Sequence, residues 1–227
     1  MSKVSKRLKT VRAQVSDKIY SYEEAVALVK ATAALKFDAT IELHAHLGID
    51  PTKGDQLIRG SVVLPHGSGK KVRVAAFVPD SLVKVAKEAG ADIAGSEALI
   101  EQIKKDSKCD FDIAVTVPEM MKNLAGIARI LGQKGLMPNP KTGTIDTDVK
   151  KMITELKAGK ISFKNDNTAN IHVPIGKASY TEEQLLANLK TFVDTLKKAK
   201  PQGVKGSYLK TLHLSSTMGP GIRVSTN

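Results

Sequence analysis

The sequence predicts an α/β protein of two domains: a split, two-layer α+β domain made from both chain ends, and an α/β domain inserted between them. Three observations carry this. Each end offers an amphipathic helix with a capping box, set beside strands, and the longest of those strands alternates apolar and polar residues. The middle instead alternates near-continuous apolar strands with helices, the pattern of a small parallel sheet. Charge divides in the same way. Residues 67–158 hold 15 Lys and Arg against 12 Asp and Glu, while the flanks 1–66 and 159–227 hold 20 against 11, so +9 of the formal +12 lies outside the middle. At 227 residues, the chain has room for one or two domains with a core each.

In the first flank, Ser21 and Glu24 form a Ser-x-x-Glu capping box, and Tyr22, Ala25, Val26 and Val29 share one helical face. A strand follows in which Phe37, Ala39, Ile41, Leu43, Ala45, Leu47 and Ile49 alternate with Asp38, Thr40, Glu42, His44 and His46. A turn at Asp50-Pro51, a loop through Gly54 and a short strand, Ser61 to Leu64, complete the flank.

In the middle, the apolar run Val72 to Val78 reads as a strand covered on both faces. Pro79-Asp80 opens a helix ending near Ala89-Gly90, Ile93 to Gly95 is a short strand, and Ser96 caps a helix through Lys105. Asp112 to Val117 is a third strand, and Pro118 starts a helix expected to reach Leu131. Gly132 to Thr144, rich in Gly and Pro, is expected to be irregular, and Asp146 to Leu156 to be helical up to Gly159.

The last third offers strands at Ile161 to Lys164 and Ile171 to Val173 around an Asn165-Asp166-Asn167 turn. A second capping box, Thr181 with Gln184, opens a helix whose stripe is Leu185, Leu186, Leu189, Phe192, Val193 and Leu196. Pro201 stops it, and Tyr208 to Leu214 is a last strand.

Composition narrows the function. Hydrophobic residues make up 41% of the chain, so it is globular. A single cysteine, Cys109, excludes an internal disulfide and a cysteine-built zinc site. No apolar run approaches the roughly 20 residues of a membrane span, and the basic start (Lys3, Lys6, Arg7, Lys9, Arg12) leads into no signal-peptide core, so a reducing cytoplasm is expected. The positive balance points first to nucleic acid, then to an acidic protein or an anionic membrane surface. Aromatic residues at 4% and the lack of Trp disfavour a base-stacking platform, leaving recognition through phosphates and shape.

Several motifs dissolve on inspection. His44 and His46 share a strand face, but His66, His172 and His213 are scattered in sequence, so no metal is expected. Leu64 to Lys71 imitates a phosphate-binding loop but lacks its first Gly and its final Ser or Thr, and it leads into a strand rather than a helix. No GxGxxG follows a strand of the middle segment, so a Rossmann-like sheet there comes without dinucleotide chemistry. Asp110 and Asp112 read as strand-edge residues, Glu182 and Glu183 as helix-start residues, and no GxSxG elbow is present. Nothing points to an enzyme, and no cofactor is expected. Two loops stay unexplained by packing: Gly132 to Gly143, which presents two lysines, and Ser215 to Gly221, a hydroxyl-rich turn suited to phosphate or a 2′-hydroxyl.

Four segments carry a resemblance: Gly135-Leu-Met-Pro-Asn-Pro-Lys-Thr-Gly143, Phe37-Asp-Ala-Thr-Ile-Glu-Leu-His44, Arg59-Gly-Ser-Val-Val-Leu-Pro-His-Gly67 and Ser215-Ser-Thr-Met-Gly-Pro220. With these four motifs in the right order along the sequence, the chain resembles, over nearly its whole length, the bacterial form of the family of the first large-subunit ribosomal protein, of the mobile stalk beside the tRNA exit site. The resemblance implies a split α+β two-layer domain, residues 1–66 with 159–227, that binds large-subunit rRNA, and an inserted Rossmann-like three-layer α/β domain, residues 67–158. It also implies movement and release of deacylated exit-site tRNA, repression of the protein's own messenger RNA through an rRNA-like site, and residence in the cytoplasm on the large ribosomal subunit. Off the ribosome a monomer is expected, without a membrane partner.

By the same resemblance, the RNA-binding residues are Lys36, Phe37, Thr40 and Glu42 on the first strand, Lys164 and Asp166 near the turn, and Ser215, Thr217, Met218 and Gly219 in the terminal loop. Strand alternation puts Thr40 and Glu42 on the polar face, where Glu42 accepts from a 2′-hydroxyl or a base amine. The same rule puts Phe37 on the apolar face unless the strand start curls outward. Hinge residues are expected at the two crossings between domains: Pro65, Gly67 and Gly69 at one and Gly159 at the other. The rival readings are an α/β enzyme, which needs converging titratable groups, and a protein-only adaptor.

Overall fold

The computed structural model describes residues 6–106, 108–204 and 206–226; Lys3 of the basic start lies outside them. Contacts divide the chain into two units, one running to Gly69 and resuming at Ser162, the other Lys70–Ile161. Each crossing thus falls three residues beyond the sequence-derived limit.

The split unit contains α1 (Lys6–Ala13), α2 (Tyr22–Thr32), β1 (Thr40–Leu47) and β2 (Arg59–Val63). Its heart is a four-stranded antiparallel sheet, which β1 joins with strands from beyond the inserted unit. The alternation in β1 is realised as intermediate and buried residues in strict turn, with Ile41, Leu43, Ala45 and Leu47 in the core. Helix α2 packs on the sheet at the two strands beyond β1, its capping box closed by Glu24 N–H to Ser21 Oγ (3.3 Å) and Ser21 N–H to Glu24 Oε2 (3.2 Å).

The inserted unit begins with β3 (Val74–Phe77), α3 (Asp80–Glu88), β4 (Ile93–Gly95), α4 (Glu97–Asp106) and β5 (Ile113–Thr116), followed by α5 (Met121–Leu124), α6 (Ala128–Gln133) and α7 (Val149–Lys157). Its three strands run parallel in the order β4-β3-β5, and central β3 is wholly buried, as its unbroken apolar run requires. The path steps from β3 to one edge and then across to the other. Right-handed crossovers therefore put α3 and α4 on opposite faces, and α3 packs with α7 while α4 packs with α5. Two aspartates tie strand ends: Asp112 accepts from Arg73 N–H (3.0 Å) and Lys70 Nζ (2.8 Å), and Asp92 from Val74 N–H (2.8 Å) and Lys157 Nζ (2.6 Å).

One expectation here fails. The single helix from Pro118 to Leu131 is broken into a 3₁₀ turn at Pro118–Met120, α5, a second 3₁₀ turn at Ala125–Ile127, and α6. Gly126 lowers helix propensity at the break, and Ile127 leaves helical geometry at φ −117° and ψ 8°. The loop after it is also more ordered than its Gly and Pro content suggests. Asn139 caps a 3₁₀ turn at Pro140–Thr142, and Gly143 ends the turn in the left-handed region, φ 63°.

The chain then returns to the split unit through β6 (Lys160–Lys164), which pairs with β2, then β7 (Asn170–Lys177), α8 (Glu182–Lys198), β8 (Leu209–Ser216) and β9 (Ile222–Val224). The sheet order is β7-β1-β8-β9. Edge strand β7 carries Pro174 without harm because the register opposite β1 slips there, from Ile41 facing Gly176 to Glu42 facing Pro174. Helix α8 buries Leu185, Leu189, Phe192, Val193 and Leu196, and packs with α2 and β7. The Phe192 ring stands edge-to-face on Phe163 at 5.3 Å. Two elements have no counterpart in the sequence reading: α1, within the basic start, and β9.

Helix α8 also buries Asn188 in its apolar stripe. Its side chain accepts from His66 N–H (3.1 Å) and donates to the Gly67 and Ile175 carbonyls (2.9 and 2.8 Å), so the amide is satisfied. Tyr180 Oη donates to the His66 carbonyl (3.0 Å). The stretch around Pro65 and Gly67 is therefore fastened to the split unit, and Gly69 still lies against Lys177 and Tyr180.

Candidate nucleic-acid interface

Because α2 and α8 cover the apolar face of the four-stranded sheet, the other face presents the polar residues of the alternation. Register fixes them in rows. One row is Pro174, Glu42 and Ser215; the next is His172, His44, His213 and Arg223; a third is Asn170, His46 and Thr211. The histidines that are scattered in sequence meet here. His44 Nδ1 lies 2.7 Å from His172 Nδ1, and His44 Nε2 lies 2.9 Å from Ser215 Oγ and 3.8 Å from Glu42 Oε2.

Electrostatics favour the neutral ring at two positions of this row, His44 and His213. Partial burial, with the neighbouring His172 adding to it, pushes the His44 pKa below its ordinary value, against the opposing pull of Glu42. Burial and then Arg223 do the same to His213. Both shifts favour the neutral ring in the fold. Their stabilising contribution is therefore present above the unfolded value of about 6.5 and is lost as pH falls through the lowered folded values. In an NMR titration, His44 and His213 are expected to titrate below about 6.5, and His172→Gln to raise the His44 midpoint. An unmoved His44 midpoint would remove His172 as a cause.

The residues expected to bind RNA fall into two groups. Eight gather at the start of β1. The terminal loop is fastened there by Thr217 N–H to the Thr40 carbonyl (2.9 Å) and Thr40 N–H to Thr217 Oγ1 (3.1 Å). Lys177 Nζ donates to Thr40 Oγ1 (2.8 Å). Lys36 and Phe37 precede β1 in a bend held by Ala178 N–H to the Ala39 carbonyl (2.8 Å) and Ser179 N–H to Asp38 (3.0 Å). Phe37 is 51% exposed, so it departs from the alternation by lying outside the strand, where the pleat does not govern it. Glu42 and Ser215 face each other across β1 and β8.

Met218 is the clearest feature of this group. It sits at φ 60°, a left-handed conformation that costs a non-glycine residue about 1–2 kcal/mol, and its side chain is 70% exposed. Its carbonyl accepts from Arg7 Nη2 of α1 (2.9 Å), and Gly219 N–H closes the turn on the Ser216 carbonyl (2.8 Å). A Cβ at Gly219 would collide with Ser216 Oγ, so a larger residue there must displace the Ser216 side chain.

Lys164 and Asp166 stand apart. They precede β7, whose first residue, Asn170, pairs with His46, about 20 Å along β1 from Thr40. Lys164 is exposed at the end of β6. Asp166 organises its own turn, its carboxylate accepting from Asn170 N–H (2.7 Å) and from Thr168 N–H and Oγ1 (2.8 Å each). These bonds, Asn170 first, hold its pKa well below the usual carboxylate range. That contribution is present above about pH 4 and is lost as pH falls toward the lowered value. Asp166 reaches the histidine row, 3.6 Å from His172 Nε2, so the row joins the two groups.

Sequence reasoning missed Arg7, His172, His213 and Arg223. Strand alternation flags His172 and His213 as outward, but only the pairing of β1 with both β7 and β8 brings them to His44. Among the described residues, no group of three or more His, Cys, Asp or Glu could hold a metal ion. No helix among them is long and apolar enough to cross a membrane.

Comparison with known proteins agrees over the whole chain. The model of the ribosomal protein L1p/L10e family matches residues 29–220. A protein of Mesoplasma florum, named large ribosomal subunit protein uL1, is 50% identical over 100% of this chain and 100% of its own length. Proteins of the same name from Synechococcus strains CC9605 and WH7803 are each 48% identical over 99% of this chain and 95% of their own.

Proposed function

From the premise that the chain belongs to the ribosomal protein L1p/L10e family, and is a structural large-subunit protein rather than an enzyme, we propose that it holds large-subunit rRNA on the polar face of its four-stranded sheet, centred on the start of β1 and the terminal loop. The observation that carries this reading is Met218, strained and displayed next to Thr217, which is bonded to Thr40 at the start of β1. The outward histidine row and the excess charge of the flanks support it. In this reading Phe37 and Met218 supply apolar contact to the RNA, Glu42 and Ser215 meet ribose or base groups, and Lys36 and Lys164 meet phosphates.

The finer roles belong to the same proposal: a place on the mobile stalk, assistance to the movement and release of deacylated exit-site tRNA, and repression of the protein's own messenger. A messenger folded into the same ribose and phosphate geometry competes for this one face, so rRNA in excess relieves repression. The proposal also keeps Pro65, Gly67, Gly69 and Gly159 as hinge residues. Positive φ at Gly67, Gly69 and Gly159 (65°, 75° and 105°) supports it.

Affinity for an rRNA transcript across a salt series tests the assignment. Met218→Ala is expected to weaken binding with an unchanged log–log slope, because it removes contact and no charge. Lys36→Ala is expected to reduce the slope by roughly 0.7–0.9. Wild-type behaviour of both folded variants would refute the site.

A further inference from the structure

A cavity of about 430 Å³ in the split unit lies at the β8–β9 end of the polar face, beyond the residues assigned to RNA so far. It opens between the chain leaving α1 and the β8–β9 pair. Arg12, Ser16 and Lys18 line one side, and Thr211, His213 and Arg223 the other. Asp17 is the single carboxylate of the lining. Three permanent cations, hydroxyls and one acidic group make an environment for an anion. Lys18 is steadied over the Tyr20 ring, 4.6 Å from its centroid, and Ser16 Oγ lies 2.8 Å from Tyr20 Oη.

The cavity adjoins the candidate RNA surface at two places. His213 is the third member of the histidine row, next to Arg223. Pro220 and Gly221, also in the lining, continue the terminal loop from Met218, two residues and no more than about 7 Å of chain away. Helix α1 strengthens the link: Lys6, Arg7, Lys9 and Arg12 make it basic with no acidic residue, and Arg7 binds the Met218 carbonyl. A volume within the roughly 300–1,000 Å³ of ligand sites is large enough for a nucleotide as well as its phosphate.

We propose that this cavity is a second RNA subsite, which seats a phosphate-bearing nucleotide flanking the segment held by the terminal loop, with Arg12, Lys18 and Arg223 on the phosphate. The subsite rests on the RNA reading of the sheet face and extends it to α1.

The test uses the full chain, an in vitro transcript of large-subunit rRNA, an unrelated duplex RNA of equal length, and a salt series. The double variant Arg12→Gln, Arg223→Gln is expected to bind the transcript at least about tenfold more weakly at 0.1 M salt. Its log–log slope is expected to be smaller by roughly 1.4–1.8, the value for two lost phosphate contacts. Lys197→Gln with Lys198→Gln, at the exposed end of α8, removes the same charge and is expected to leave both quantities close to wild type. Lys18→Gln is a second probe, with about half the slope change, should the arginine pair melt early. Equal losses in the arginine and lysine pairs would overturn the subsite, since net charge alone would then explain them. So would wild-type binding by the arginine pair and Lys18→Gln while Met218→Ala still weakens binding. Failure of the RNA reading is distinct: the wild-type protein would show no preference for the transcript over the duplex.

Discussion

Thr217→Val is expected to lower affinity for structured rRNA by about 5- to 150-fold, the equivalent of about 1–3 kcal/mol. The sequence suggests that the hydroxyl meets RNA directly. The structure turns it inward, where Oγ1 accepts from Thr40 N–H (3.1 Å) and donates to the Thr40 carbonyl (3.2 Å). Valine keeps the shape but leaves the Thr40 amide without its partner, so the terminal loop spends less time seated against β1. Affinity falls with that fraction. Thr217→Ser keeps the hydroxyl and is expected to bind far more like the wild type. Hydrogen exchange separates the two mechanisms: faster exchange at Thr40 in the valine variant fits the inward lock. Weaker binding with unchanged exchange would return the hydroxyl to the RNA.

Phe192→Ala and Phe77→Ala are expected to cost about 3–5 kcal/mol each, with opposite consequences for RNA. Both rings are fully buried and both make edge-to-face contacts, Phe192 with Phe163 and Phe77 with Phe111. Phe192 lies in the core of the split unit, beneath the sheet that carries the candidate interface. Phe77 is the last residue of β3, in the core of the inserted unit. Loss of Phe192 is expected to abolish binding along with the thermal transition of its unit, whereas loss of Phe77 is expected to leave affinity within about threefold, a difference below 1 kcal/mol. Equal loss of binding in the two variants, with the split unit still folded in the Phe77 variant, would refute the placement of the interface.

Particular residues show why part of this was legible in the sequence. The two capping boxes, Ser21 with Glu24 and Thr181 with Gln184, were readable because capping is local: donor and acceptor lie three residues apart. The alternation of β1 was readable for the same reason. Lys160–Lys164 and Ile93–Gly95 also emerged within a residue of their observed bounds. Register is not local. Nothing near His44 announces that His172 and His213 flank it, because 128 residues separate the first pair. The isolated apolar content of α1 is too small to reveal a helix, and its place is set by Arg7 reaching across to Met218. Gly126 was visible, yet the helix was carried through it because the flanking apolar spacing is helical; the break depends on geometry at Ile127. Phe37 and Asp166 teach the converse. The resemblance nominates both, and only backbone conformation separates an exposed ring before the strand from a carboxylate absorbed by its own turn.

The position of β1 between β7 and β8 also sets an order of events during synthesis. The central strand of the sheet is made early, yet both of its neighbours come from beyond the inserted unit. About 120 residues lie between the end of β1 and the start of β7, which a ribosome takes roughly 6–25 s to add at about 5–20 residues per second. Throughout that interval β1 has two unsatisfied edges, while β3, β4 and β5, which need only each other, can already close their own sheet. The newborn chain thus owns a finished parallel sheet before it owns any part of the surface built across β1 and β8. The surface proposed to engage RNA is thus completed only in a chain translated almost to its end, and a truncated product that stops before β7 leaves both edges of amphipathic β1 open to aggregation and proteolysis.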